Sequence, residues 1–135
     1  MTTDNKKNQT NATGTCTVNF PGGARLVTSN VSVASSNGEL LLAGNEDLGQ
    51  GALASFSTRI KENTPNGSHN LPSPYFPEVR YVEITGHTST VIRGTCTVTL
   101  NASARAYNLK FSNLELTPRK EPMLVTAEID ITGSK

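Results

Sequence analysis

The phrase Gly-Thr-Cys-Thr-Val is written twice in this chain, at Gly14–Val18 and again at Gly94–Val98, and the two copies hold both of its cysteines. Each copy opens a run of strict alternation. Cys16, Val18 and Phe20 interleave with Thr15, Thr17 and Asn19, and Cys96, Val98 and Leu100 interleave with Thr95, Thr97 and Thr99. A period of two is the signature of a β-strand with one buried face, because successive side chains leave a strand on opposite sides. Both sulfurs fall on the apolar face, and the identical wording predicts that they sit at equivalent depth in one core.

The remainder of the chain reads the same way. Its 135 residues suit a single domain with a core large enough to stand without metals. Apolar residues are 35% and aromatics 5% of the chain, with no Trp, while Val, Ile, Thr and Ser are abundant, a balance that favours strands and turns. We expect about eight strands, no significant helix, and an all-β domain built as a single antiparallel β-sandwich or β-barrel. The best hairpin signal is Asn37-Gly38, whose residues tolerate the positive φ of a tight turn. It joins a long strand, Ala24 to Ala34, to another at Glu39 to Ala43. Residues 44–51 read as a loop and Ala52–Ile60 as the next strand. From Lys61 to Pro77 four prolines allow at most a short edge strand near Ser68–Leu71. Strands at Val79–Thr85, Thr90–Leu100, Ala106–Leu116 and Leu124–Thr132 complete the series. In the last, Val125, Ala127, Ile129 and Ile131 should face inward.

Residues 1–13 carry no apolar periodicity and read as a flexible leader before a β domain over 14–135. The leader lacks the apolar stretch of a secretory signal. Its composition is nevertheless that of a segment left after removal of a signal or lipid anchor. An extracytoplasmic home, periplasmic, surface-anchored or secreted, is therefore the expectation. It goes with a Cys16–Cys96 disulfide, worth about 4 kcal/mol in a chain-entropy account. The alternative is two separate buried thiols.

Lys and Arg number 12 against 11 Asp and Glu, and the basic residues are scattered, so nucleic acid is not an expected partner. No apolar run is long enough for a transmembrane helix. Neither cysteine has a second Cys or a His at ligand spacing, so no metal site and no cofactor are expected. His69 and His87 stand without an adjacent acid or nucleophile, which argues against catalysis. Asn-X-Ser/Thr triplets begin at Asn8, Asn11, Asn30, Asn66 and Asn101, as expected by chance in so Asn- and Ser/Thr-rich a chain.

The order of features from Val31 onward resembles small bacterial envelope lipoprotein domains of unknown function. It comprises the Asn37-Gly38 hairpin into Glu39-Leu40-Leu41-Leu42-Ala43-Gly44, the Gly-Ala-Leu-Ala-Ser-Phe strand, Asn66-Gly67-Ser68-His69-Asn70-Leu71, Val79–Gly86 and Ile92-Arg93-Gly94-Thr95-Cys96-Thr97-Val98. The resemblance implies an antiparallel barrel or sandwich in the envelope and carries no activity with it. Cys96 stands where those domains have an aromatic residue, and no anchoring cysteine opens the chain.

The functional expectation is a non-enzymatic binding domain for a small molecule, glycan or protein. Its site would draw on the long proline-rich loop: His69, Tyr75 and Phe76 first, with Arg80 and His87 as lesser candidates. Tyr75 and Phe76 would either form an apolar tip or tuck back as a plug over the core. The alternative is a structural, assembly or adhesive protein that acts through edge strands or oligomer contacts.

Overall fold

The computed structural model describes residues 12–47, 53–83, 88–117 and 125–133. Among them every regular element is a strand. The ten strands are β1 (Ala12–Phe20), β2 (Gly23–Thr28), β3 (Val31–Ser36), β4 (Glu39–Asp47), β5 (Leu53–Lys61), β6 (Gly67–Leu71), β7 (Glu78–Val82), β8 (Thr88–Asn101), β9 (Ala106–Thr117) and β10 (Val125–Gly133). All pairings are antiparallel. The sheet runs β2-β1-β10-β9-β8-β7-β5-β4-β3, with β6 added to β8 beside β7, and it curls into a nearly closed barrel.

The two rims of this sheet, β2 and β3, are consecutive in the chain. The stretch expected as one strand from Ala24 to Ala34 keeps its course but changes partner at Ser29-Asn30. Its first half pairs with β1 and its second half with β4. Three hydrogen bonds hold the change-over: Thr28 Oγ1 donates to the Asn45 carbonyl at 2.7 Å, Asn30 N–H donates to Thr28 Oγ1 at 3.0 Å, and Asn45 N–H donates to the Asn30 carbonyl at 3.0 Å. One strand thus serves both rims, leaving little open edge. This split, and β6 as a strand in its own right, raise the number of strands from about eight to ten.

Alternation fills the barrel. Cys16, Val18, Cys96 and Val98 are all buried, as are Val125, Ala127, Ile129 and Ile131. Phe56 packs edge-on to Phe111 with centroids 5.4 Å apart, and Phe20 meets Tyr81 at 5.5 Å, geometries aromatic pairs favour. The Asn37-Gly38 turn forms as expected, with φ of 55° and 79° between paired Ser36 and Glu39. Strand bounds differ in detail. β1 already includes Ala12 and Thr13, expected in the leader, and β4 runs through Gly44 to Asp47, expected in a loop. The expected strand end at Ile84-Thr85 lies outside the described residues, as does the leader over residues 1–11.

The disulfide expectation is corrected. Cys16 and Cys96 are separate thiols. Cys16 on β1 sits opposite Ile129 of β10, and Cys96 on β8 sits opposite Phe111 of β9. Two whole strands, β10 and β9, therefore lie between β1 and β8 along the sheet. Equal depth did not mean adjacency. Burial pushes both thiols up from 9.0 to about 12, since a thiolate in the core would lose its hydration, and for Cys96 a hydrogen bond with the Lys110 main chain partly opposes the rise.

Candidate functional site

The proline-rich segment is part of the barrel wall. β6 pairs with β8 from Gly67 opposite Val98 to Leu71 opposite Gly94, and β7 pairs with β8 from Arg80 opposite Thr90 to Val82 opposite Thr88. Between these ladders the chain leaves β8 and swings toward β5, where the Tyr75 carbonyl accepts a hydrogen bond from Lys61 N–H at 2.9 Å. Proline explains the excursion: Pro72, Pro74 and Pro77 have no N–H to give a ladder. Main-chain Val91, Ile92 and Arg93 are consequently left without a strand partner on this side of β8.

On the other side of β8, Ile92 is also skipped by β9, whose register passes from Val91 opposite Leu116 to Arg93 opposite Glu115. It shifts again at Gly94, where φ is 149°. The first shift has its extra residue on β8, at Ile92, and the second has it on β9, where Asn113 and Leu114 stand against Gly94 and Asn113 takes φ of 55°; Ile92 stands 47% exposed, unusual for so large an apolar side chain in this fold.

The gap forms a window of about 440 Å³ lined by Arg59, Leu71, Pro72, Phe76, Pro77, Glu78, Val79, Thr90 and Val91. Its volume lies in the range typical of small-molecule sites. Phe76 is its floor, at 7% exposure, with its ring 6.3 Å from Phe111 and 5.8 Å from His69. Of the two placements expected for the loop rings, Phe76 takes the plug. Tyr75 is half-buried against the same core, its ring edge-on to His69 at 5.6 Å. His69 Nε2–H donates to the Pro65 carbonyl at 2.7 Å, closing the loop beneath them.

At one rim lies a charge ladder on the outer face of β4, β5 and β7. Lys61 Nζ is 3.0 Å from Glu39, Arg59 is 3.6 Å from Glu39 and 3.9 Å from Glu78, and Arg80 bonds Glu78. Exposed pairs of this kind contribute little stability, but they place an ordered cation and an ordered carboxylate at the mouth of an apolar hollow.

The structure brings His69, Tyr75 and Phe76 together and reaches Arg80 through Glu78. His87 lies outside the described residues. Arg59, Glu78, Val79, Thr90 and Val91, which lie outside the proline-rich loop, were not anticipated. The one sequence signal that could have pointed to Thr90 and Val91 is Gly94 inside an otherwise regular strand, since an interior glycine often marks a bulge or a close approach. Smaller hollows lie elsewhere, among them one of about 270 Å³ by Arg25, Glu46 and Tyr81, one of about 280 Å³ by Glu62, Arg105 and Tyr107 and one of about 350 Å³ by Asn37, Glu39 and Leu41. Among the described residues no three His, Cys, Asp or Glu gather as a metal site. No helix among them is long and apolar enough to cross a membrane. Comparison with protein-family models, with curated proteins and with solved structures returned no match.

Proposed function

We propose that this barrel is a non-enzymatic binding domain whose site is the window between β6, β7 and β8. The observation that carries the reading is the break in pairing: three residues of β8 have no strand partner on the β6–β7 side at the same place where the wall opens over an apolar floor. Main-chain donors and acceptors are strong hydrogen-bonding groups that need partners. A hollow combining them with apolar walls and a few charged groups has the make-up of a small-ligand pocket. The histidine of the loop is occupied by the Pro65 carbonyl, which favours binding over proton transfer. An extracytoplasmic setting, and the likeness to bacterial envelope domains, belong to this proposal without help from a disulfide.

The test is occupancy of the window. Val91→Phe places a ring in the hollow and should abolish the amide shifts that a small apolar probe such as isovalerate methyl ester produces at Val91–Gly94, with thermal unfolding unchanged to within a few degrees. Shifts that persist in this variant place the site elsewhere.

A second reading is favoured by β6, which pairs with β8 alone and so keeps one open edge over Gly67–Leu71. An assembly module would add a strand there. Sedimentation over a wide concentration range separates the two readings: a monomer throughout removes assembly between copies.

A further inference from the structure

We infer that the end of the barrel where β1 turns into β2 holds a second site, built for the ammonium and carboxylate of an α-amino acid with a small apolar side chain. The hollow there has about 270 Å³ and shares no lining residue with the window. Its charged lining groups are Arg25, Glu46 and Glu83, and its floor is made by Leu26, Ala54 and Tyr81, all buried.

Arg25 reaches this hollow through a bulge. β1 and β2 stay in register from Cys16 opposite Thr28 to Val18 opposite Leu26, and then Asn19 stands opposite Ala24, so Arg25 is an extra residue on β2. A bulge re-aims the side chain it carries. Here the guanidinium comes over the ring of Phe20, 4.7 Å from its centroid, and Phe20 is itself a buried, inward residue. Stacking engages the face of a guanidinium and leaves the N–H donors of its edge for a carboxylate. Among the described residues no ion pair or hydrogen bond takes up those donors.

Glu46 arrives by regular alternation. It follows the buried Leu40, Leu42 and Gly44 on the inner face of β4 and stands opposite Ala54 of β5. Carrying the β5–β7 register one place beyond Ser55 opposite Val82 sets Glu83 on the other side of Ala54. The small side chain of Ala54 leaves a space between the two glutamates. Glu46 is half-buried, and among the described residues no salt bridge or hydrogen bond engages its carboxylate, Arg25 included. The outer charge ladder pairs its ions with one another; this hollow holds a cation and an anion apart.

A ligand carrying both charges answers both groups. A lone anion would meet Arg25 but also two carboxylates, and a lone cation would leave Arg25 unanswered. Hydrogen bonds between ionised partners are the strong ones, and an apolar floor strengthens them further. An α-amino acid carries its two charges on one carbon, so both stay at the rim while the side chain enters over Leu26, Ala54 and Tyr81. The volume, just under the range of drug-sized ligands, suits a side chain of a few carbons.

The experiment titrates L-valine into the full chain while amide resonances are followed by NMR. Shifts should appear at Arg25–Val27 and at Ala54, and not at Val91–Gly94. L-Valinamide lacks the negative charge and N-acetyl-L-valine the positive one. Each should bind about ten-fold more weakly than L-valine, the effect of one hydrogen bond between charged groups at a half-open site. Arg25→Gln should weaken L-valine by about the same factor and leave L-valinamide unchanged. Glu46→Gln should weaken L-valine and spare N-acetyl-L-valine. Both side chains lie at the rim, so thermal unfolding of the variants should move by no more than a few degrees, and the three-ligand comparison on the native chain decides independently of them. L-Valinamide binding as tightly as L-valine would make the hollow a cation site and overturn the inference. N-acetyl-L-valine binding as tightly would make it an anion site, and L-valine shifts that are absent or lie elsewhere overturn the inference outright.

Discussion

Gly44 on β4 lies directly against Cys16 on β1: a Cβ added to Gly44 would stand 2.3 Å from Cys16 Cβ and 2.7 Å from its Sγ. No ladder joins these two strands, so the seam of the barrel is closed here by van der Waals contact and by the Thr28–Asn45 clamp beside it. Gly44→Ala should therefore cost about 1–3 kcal/mol through overpacking. Combining it with Cys16→Ala should recover only a minor part, because the closest clash is with the Cβ that alanine retains. Urea unfolding of the single and double variants checks this, and full recovery in the double variant would show that the sulfur alone sets the contact.

Burial of both thiols gives the protein an alkaline liability. In the folded state each is held protonated up to about 12, against 9.0 for an unperturbed thiol. Above the lower value the unfolded chain releases thiol protons that the folded one keeps. The unfolded state then binds fewer protons, so stability falls as pH rises between the two values. The slope approaches about 1.4 kcal/mol per pH unit for each thiol. Unfolding free energies measured upward from about pH 8 should decline more steeply for the native chain than for Cys16→Ala/Cys96→Ala. In the native protein neither thiol should react with an alkylating reagent near neutral pH. Both should react after denaturation without any reductant, and thiols that appear only on reduction would restore the disulfide.

Much of this architecture was legible because alternation is a local signal. Val125, Ala127, Ile129 and Ile131 face the core as their period requires, and the Asn37-Gly38 hairpin forms where its φ preferences put it. Partner choice was not legible. Nothing in Ser29-Asn30 announces that a continuous alternating run will leave β1 for β4, because that exchange is dictated by barrel closure, a property of the whole sheet. The same holds for the two cysteines, whose identical local setting fixed depth and left their separation by two strands to topology. At the window, the prolines correctly predicted lost ladder bonds. That the loss would open the β8 side, and that Phe76 would drop inward, depended on register shifts between β8 and β9, at Ile92 and at Asn113-Leu114, far along the chain from the loop.

Asn66 acts as a side-chain extension of the β6–β8 ladder. Its Oδ1 accepts from Leu100 N–H at 2.8 Å and its Nδ2 donates to the Leu100 carbonyl at 3.4 Å. The shorter bond should carry most of the interaction. Asn66→Ala is expected to cost about 1 kcal/mol and Asn66→Asp less, since the acceptor survives. Hydrogen exchange at Leu100 N–H gives the local readout: it should accelerate in the alanine variant, and protection unchanged there would mean that the side chain contributes nothing to the ladder.

Phe76 separates a loop made for binding from a loop that also holds the wall together. With its ring buried between His69 and Phe111, Phe76→Ala should cost about 3–5 kcal/mol. Tyr75→Ala, at a half-buried position, should cost clearly less. A deletion of residues 73–76 would then lose cooperative unfolding, unlike removal of an apolar tip that only served a ligand. Thermal denaturation of the two point variants decides between these roles, and equal, small losses for both would return Phe76 to the surface.

The repeated phrase owes its first residue to the backbone. Gly14 and Gly94 adopt φ of 142° and 149°, a region that L-residues rarely enter, and each is hemmed in by the neighbouring strand. The obstacles differ. A Cβ at Gly14 would lie 1.8 Å from the Asp130 carbonyl oxygen, which is fixed in the β1–β10 ladder, whereas at Gly94 the nearest atom is a side-chain end, Leu114 Cδ2 at 2.7 Å, and the nearest backbone atoms stand at 3.1 Å. Both alanine substitutions carry the same conformational penalty, so the difference between them isolates the clash. Gly14→Ala should be the more destabilising by about 1 kcal/mol or more, and it should expose Cys16 to alkylation before Cys96. The reverse order of stability, or earlier labelling of Cys96, would mean that the N-terminal strand yields locally and that the β8 bulge is the stiffer of the two.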